Sequence, residues 1–230
     1  MPRTLKKMKS LSRRRDKYAR VALVLFIIGW GAIFSGREVG IAIAALVFMA
    51  AAAYFQQGKI WGAGASGEQR VTDVLEALPG EVYIINDLLI QKANGTAQID
   101  HVLISEYGVF CIETKHFSGT LTGDDEHCVH YTQNGSRRIN APAKQSAEHA
   151  RALRQLLSQR PEYWETPEGL TVQPIVVFSG NVRLRYKSRN VPVMKLKDLS
   201  AYLSEVSPRK ILPHRHVINL ALFILASDMV

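Results

Sequence analysis

Cysteine is almost missing from this chain: Cys111 and Cys128 are the two among 230 residues. Neither has metal-type spacing, and both fall in apolar β-type runs, so they read as buried thiols in a reducing compartment. His127, Cys128 and His130 lack the two further ligands that a zinc centre would need nearby. No Walker loop and no G-x-S-x-G elbow occurs, which leaves nucleotide hydrolysis and serine chemistry unsupported. Internal repeats are missing too, and the alanines of residues 50–53 are the nearest thing to low complexity. The formal charge of +9 is also absent from most of the chain. Residues 1–60 hold eleven Lys/Arg and two acids, whereas residues 61–230 hold eighteen of each sign. The high pI therefore belongs to the N-terminal segment.

That segment reads as a membrane anchor. Residues 1–20 carry nine Lys/Arg and one acid, Asp16; sixteen uncharged residues follow at 21–36, and twenty more at 39–58. Twenty residues suit a bilayer core, while sixteen cover roughly 24 Å, so Arg20 and Arg37 would have to snorkel or the bilayer thin. A signal peptide and a pair of buried core helices are the rivals. A poor cleavage site and the second apolar run weigh against the first, and the flanking basic tail against the second. Gly40, Ala42, Ala44 and Ala45 suit close helix packing in lipid. The positive-inside rule sets residues 1–20 in the cytoplasm, the Arg37-Glu38 turn outside, and everything after Lys59 back inside. The expected organisation is a basic cytoplasmic tail (1–20), a transmembrane hairpin in the cell (inner) membrane (21–58), a linker (59–67), a folded domain (68–206) and a C-terminal apolar helix (207–230).

Beyond the anchor, Val71, Val74, Leu75 and Leu78 fall at helical spacing and Pro79-Gly80 closes the run. Residues 82–90, 97–105 and 109–115 read as strands, and 120–133 as one or two more. A helix is expected over 142–160, strands over 171–178 and 191–196, and a short helix over 199–203. This order predicts an α/β fold, a mixed sheet flanked by helices. The apolar run 214–225 is expected to pack on the domain or lie at the interface.

The chemistry gathers on two of the strands. Asp100, Val102 and Ile104 share one face of the first; Cys111, Glu113 and Lys115 share one face of the second. A hairpin turning at Glu106-Tyr107 sets Asp100 opposite Glu113, and a four-residue loop sets it opposite Lys115. Either way two carboxylates and an ammonium converge at one strand end. An acid facing a core is costly unless paired or metal-bound, and hard divalent cations take carboxylate oxygens. A salt-bridge cluster is the structural alternative.

Gly67-Glu68, Ile99-Asp100-His101, the run from Gly108 to Lys115 and Asn140-Ala141-Pro142-Ala143-Lys144-Gln145 resemble the nuclease-related domain, over residues 64–180. That domain belongs to the PD-(D/E)XK restriction-endonuclease-like superfamily. The resemblance implies that fold, and Glu68, Asp100 and Glu113 as ligands of Mg²⁺ or Mn²⁺, with the Thr114 carbonyl as a further oxygen. It implies that Lys115 positions water or stabilises the scissile phosphate, that Gln145 hydrogen-bonds in the site, and that the partner is DNA or RNA. The chain departs from the family in one strand, where Cys128-Val129-His130-Tyr131 stands in place of a frequent Trp. Glu68 has a plainer explanation as well, since the first turn of a helix favours an acid. Arg183, Arg185, Lys187 and Arg189 alternate at spacing two, either as a phosphate-contacting edge or as a solvated edge strand that resists aggregation. A membrane-tethered module that binds nucleic acid or protein without catalysis is the rival reading, and a membrane-assembly scaffold a third.

Overall fold

The computed structural model describes residues 1–34, 38–92, 94–160, 163, 170–205 and 210–229. The chain divides into two units, Met8–Ser66 and the combination of Met1–Lys7 with Gly67–Val230.

The first unit is helical. Its α1 (Ser10–Phe34) and the part of α2 (Glu38–Glu76) that lies before Gly67 are each long and apolar enough to cross a membrane. Leu23, Ile27 and Phe34 of α1 and Val39, Ile41 and Leu46 of α2 are exposed. Where the helices meet, Gly29 lets the Phe48 ring in so closely that a Cβ there would stand 2.6 Å from it. Arg37, half of the expected turn, lies outside the described residues.

Residues 59–67 are helical throughout, as part of α2. Glycine costs a helix interior about 1 kcal/mol against alanine. Here, however, these glycines are points of close approach: Cβ atoms on Gly62 and Gly64 would lie 3.2 Å from Arg15 and Leu11. With Gly67 they have the spacing G-x-G-x-x-G. They sit inside a helix, not on a strand-to-helix turn, so they form no phosphate loop.

The second unit is mixed α/β, with two sheets flanked by helices. One sheet has six strands in the order β1-β2-β3-β4-β8-β10. They are β1 (Arg3–Lys6), β2 (Val82–Lys92), β3 (Gly95–Ser105), β4 (Gly108–Lys115), β8 (Val172–Phe178) and β10 (Val193–Lys195). The other sheet runs β7-β6-β5-β9, built from β5 (Gly119–Gly123), β6 (Cys128–Thr132), β7 (Gly135–Ile139) and β9 (Val182–Tyr186). Among the described residues, the end of α2 from Gly67 and three further helices, α3 (Pro142–Leu157), α4 (Leu199–Glu205) and α5 (His214–Ala226), belong to this unit.

Burial on both faces explains why β2, β3 and β4 read as near-continuous apolar runs. Ile85, Val102, Ile104, Val109 and Cys111 face a layer that includes Leu153 of α3 and Leu220 of α5. Their neighbours Ile84, Leu103, Phe110 and Ile112 face the opposite layer, with Val71 and Leu75 of α2 and Leu199 of α4. Two strands were not expected. β1 arises within the supposed basic tail and pairs parallel to β2, Arg3 against Tyr83 and Thr4 against Ile84. β7 extends the second sheet beyond the strand or two foreseen there.

Candidate functional site

β3 and β4 pair antiparallel around the two-residue turn at Glu106-Tyr107, with Ser105 opposite Gly108 and His101 opposite Ile112. One further step of that register sets Asp100 against Glu113, so the tighter of the two expected hairpins is the one formed. The Thr114 backbone N–H donates to Asp100 Oδ2 at 2.7 Å across it. His101, on the opposite face, is fully buried, with Nδ1 2.8 Å from Asn86 Oδ1 and Nε2 3.0 Å from Thr114 Oγ1. Burial pushes its pKa down to about 3, so the ring is neutral and serves packing and the positioning of Thr114.

Strand alternation aims Glu113 and Lys115 to the side of Val109 and Cys111, the side on which α3 packs. Ser146 fixes α3 to β8 by donating to the Ile175 carbonyl at 3.2 Å. Gln145 and His149, one helical turn apart, then meet the strand. Lys115 Nζ donates to Glu113 Oε1 at 2.6 Å and to Gln145 Oε1 at 3.0 Å. His149 Nδ1 stands 3.0 Å from Glu113 Oε2, within ion-pair range but out of line for a hydrogen bond.

Glu68 arrives from α2. A Cβ on the preceding Gly67 would fall 2.6 Å from Ser179 Oγ and 2.9 Å from His116 Cβ, so glycine is what permits this approach. Burial raises the Glu68 pKa to about 8, helped by the charges of Asp87 and Glu113 and opposed by Lys115. Asp87 breaks the β2–β3 ladder, which steps from Asn86↔His101 to Leu88↔Ile99. Its φ of 56° is left-handed, a conformation that aspartate tolerates better than most residues. Its Oδ1 accepts from Gln98 Nε2 at 2.8 Å.

The carboxylates are not equivalent. Burial holds Asp100 well above the usual range, reinforced by the charges of Glu113 and Glu68 and partly offset by Lys115 and the Thr114 N–H. Burial works against a charged Glu113 too, but His149 and Lys115 outweigh it and hold that carboxyl below its ordinary value.

The structure therefore brings Glu68, Asp100, Glu113, Lys115 and Gln145 into one electrostatic neighbourhood and adds His149 and Asp87, which sequence reasoning missed. A faint signal existed for His149: it follows Gln145 by four, the spacing of a shared helical face. The basic series lies on the other sheet and is not continuous. β9 ends at Tyr186, so Arg183 and Arg185 share a strand face while Lys187 and Arg189 belong to the following loop. Asp125 holds that loop, accepting from Tyr186 Oη at 2.7 Å and Ser188 Oγ at 3.0 Å. Ladder partners carry the exposed face inward from β9. One row is Arg183, Thr120, Tyr131 and Ser136, and the next is Arg185, Thr122, Val129 and Arg138. Neither row contains an acid.

Among the described residues, no three His, Cys, Asp or Glu side chains are gathered tightly enough to cage an ion as they stand. The donor chemistry nevertheless fits a hard divalent cation. Glu68 and Asp100 are each pushed up by burial and, after it, by neighbouring negative charge; Lys115 is the cation that opposes this at both, and Glu113 Oε2 is buried without a hydrogen bond.

A family model described as a nuclease-related domain matches residues 63–179, half of the chain. The chain is also similar to an uncharacterized protein of Bacillus anthracis, 33% identical over 102 residues, which cover 42% of this chain and 48% of that protein. It thus spans about half the length of this curated relative. No solved structure gives a significant match.

Proposed function

We infer that this chain, which belongs to the nuclease-related domain family, is a membrane-anchored, metal-dependent nuclease with the restriction-endonuclease-like architecture of the PD-(D/E)XK enzymes, cutting phosphodiester bonds of DNA or RNA. The observation that carries the reading is the convergence of Asp100 and Glu113 on neighbouring strands, with Lys115 bonded to Glu113 and Gln145 beside them. Burial, reinforced by the Glu113 and Glu68 charges, holds Asp100 up; Glu113 is held below its ordinary value, and Lys115 touches Glu113 while its charge reaches Asp100.

Glu68, Asp100 and Glu113 would hold Mg²⁺ or Mn²⁺, which when bound supplies Lewis acidity at the phosphate and an acidified water. The protein's own groups do the rest. Lys115, fixed between Glu113 Oε1 and Gln145 Oε1, presents N–H donors that orient the attacking water and stabilise charge developing on the phosphate oxygens. Gln145 keeps the ammonium aimed without adding a charge. The Arg183 and Arg185 face would bind backbone phosphates and fix the strand's position.

The anchor reading rests on the exposed apolar surface of α1 and α2, since core helices of a soluble protein would bury it. The nine basic residues before position 21 set the N-terminal side, and with it the nuclease domain, in the cytoplasm at the cell membrane. The test is cleavage of plasmid, linear and single-stranded substrates by the detergent-solubilised full chain with Mg²⁺, Mn²⁺ or EDTA, beside thermal melting under the same conditions. No cleavage and no metal-induced shift in melting would leave a binding module in its place.

A further inference from the structure

His149 Nδ1 and Glu113 Oε2 are two buried donor atoms 3.0 Å apart, and among the described residues neither has a hydrogen-bond partner. An ordinary ion pair would turn the imidazole N–H towards the carboxylate oxygen and bond it. A buried group left unbonded costs about 1–3 kcal/mol, so the arrangement calls for a reason. Two neighbouring donors in an octahedral shell at about 2.1 Å from a common ion are themselves about 3.0 Å apart. The observed spacing matches that of adjacent ligands whose lone pairs address a third point.

The surroundings support this. His149 projects from α3 one turn beyond Gln145, the residue that holds Lys115. Lys115 occupies Glu113 Oε1, leaving Oε2 as the oxygen free for an ion. Glu68 and Asp100 lie in the same neighbourhood, where burial first and then neighbouring negative charge, that of Glu113 included, disfavour their ionised forms and Lys115 favours them.

We propose that His149 is a nitrogen ligand of the divalent-cation site, paired with Glu113 Oε2, and that the site therefore prefers first-row transition cations such as Mn²⁺ over Mg²⁺ or Ca²⁺. Mg²⁺ and Ca²⁺ take oxygen donors and gain little from an imidazole, whereas affinity for nitrogen donors rises along the first transition row. The proposal rests on the metal-dependent reading above and specifies its ion.

Electron paramagnetic resonance of Mn²⁺ bound to the full chain in detergent decides it. The wild type should bind Mn²⁺ stoichiometrically and show nitrogen modulation that changes when histidine is labelled with ¹⁵N. His149→Gln should abolish the modulation and weaken Mn²⁺ binding about tenfold or more. Mg²⁺ affinity, read by competition, should change by less than about threefold, so that the preference for Mn²⁺ collapses. A counter-charge role gives the opposite sign: no histidine modulation in the wild type, and Mn²⁺ binding unchanged or tighter in His149→Gln. Either result overturns the proposal while leaving a carboxylate site standing. Failure of the wild type to bind Mn²⁺ at all overturns the metal-dependent function together with it. The wild-type spectrum needs no variant, so a His149→Gln chain that misfolds does not rescue the idea.

Discussion

Asp100 and Thr114 are tied across the β3–β4 hairpin by a 2.7 Å hydrogen bond from the Thr114 N–H to Asp100 Oδ2. One carboxylate oxygen is thereby spent on the backbone of the neighbouring strand. The bond spans the strand pair at the point where Asp100 faces Glu113, so it fixes the separation of the two acids. A shift of register by one residue would put the two acids on opposite faces of the sheet.

The two acids should respond differently to neutralisation. Asp100→Asn relieves like-charge repulsion and should leave the metal-free protein as stable or more stable. Glu113→Gln strips Lys115 and His149 of their partner and should cost about 3 kcal/mol, as breaking a buried pair does. Both should lower cleavage by about 10²-fold or more. Chemical denaturation beside the cleavage assay checks this, and equal destabilisation by the two would contradict the opposite pKa directions.

Lys115→Ala should reduce turnover by about 10²-fold while Mn²⁺ binding is retained or tightened, because a competing cation is removed. Titration of Mn²⁺ against the variant, with single-turnover cleavage alongside, separates these effects. Loss of ion binding would show that Lys115 organises the ligands instead of acting on substrate.

A specific pH dependence follows from Glu68. Its folded pKa, about 8, lies above the ordinary value of 4.5, so the folded chain holds a proton that the unfolded chain releases. Its stabilising contribution is complete below about 4.5 and is lost as pH rises through 8. Metal-free melting temperature should therefore decline across that window. Glu68→Gln should flatten the decline and gain about 1 kcal/mol near pH 8, after discounting for solvent screening. A profile identical to the wild type's would remove Glu68 from the cluster.

For the second sheet, Arg183→Gln with Arg185→Gln should weaken nucleic-acid binding at all sequences alike. The salt dependence should flatten by about 0.7–0.9 for each phosphate that is no longer neutralised. Lys187→Gln with Arg189→Gln should do less, since Asp125 ties down their loop through Ser188 and the Arg189 N–H. Fluorescence anisotropy across a salt series distinguishes the pairs.

Stability should also expose β1. Deleting residues 1–58 removes an edge strand and the buried Lys6–Asp228 ion pair, and should cost about 3 kcal/mol and promote association along the bared β2 edge. Replacing residues 8–66 by a flexible linker keeps the strand and should spare the fold. Denaturant midpoints and light scattering of the two deletions give the comparison.

Local rules carried most of what could be read from the sequence. The β3–β4 hairpin needed a two-residue turn and a period of two, and the flank of α3 followed from helical spacing. Long-range placement was the obstacle. Arg3-Thr4-Leu5-Lys6 is too short and too charged to suggest a strand until β2 offers it an edge. His149 becomes notable once α3 is seated over β4. Gly62, Gly64 and Gly67 fall in the stretch expected as a linker, because glycine loosens an isolated chain. Pressed against neighbours, the same missing side chains allow close packing instead.

β1 also imposes a condition of parity. Arg3–Lys6 can zip onto Val82–Lys92 only where both stand in the same compartment. If α1 and α2 enter a bilayer, the polypeptide between those strands must cross it an even number of times, whichever way the flanking charges pull. The helical pair is then an insertion between two segments of one folded unit. Severing it after α1 would detach a strand already stitched in. Synthesis imposes an order as well, because the Lys6–Asp87 bond reaches across 81 residues. The first strand of the sheet is made before the helical pair and can join its partner only afterwards.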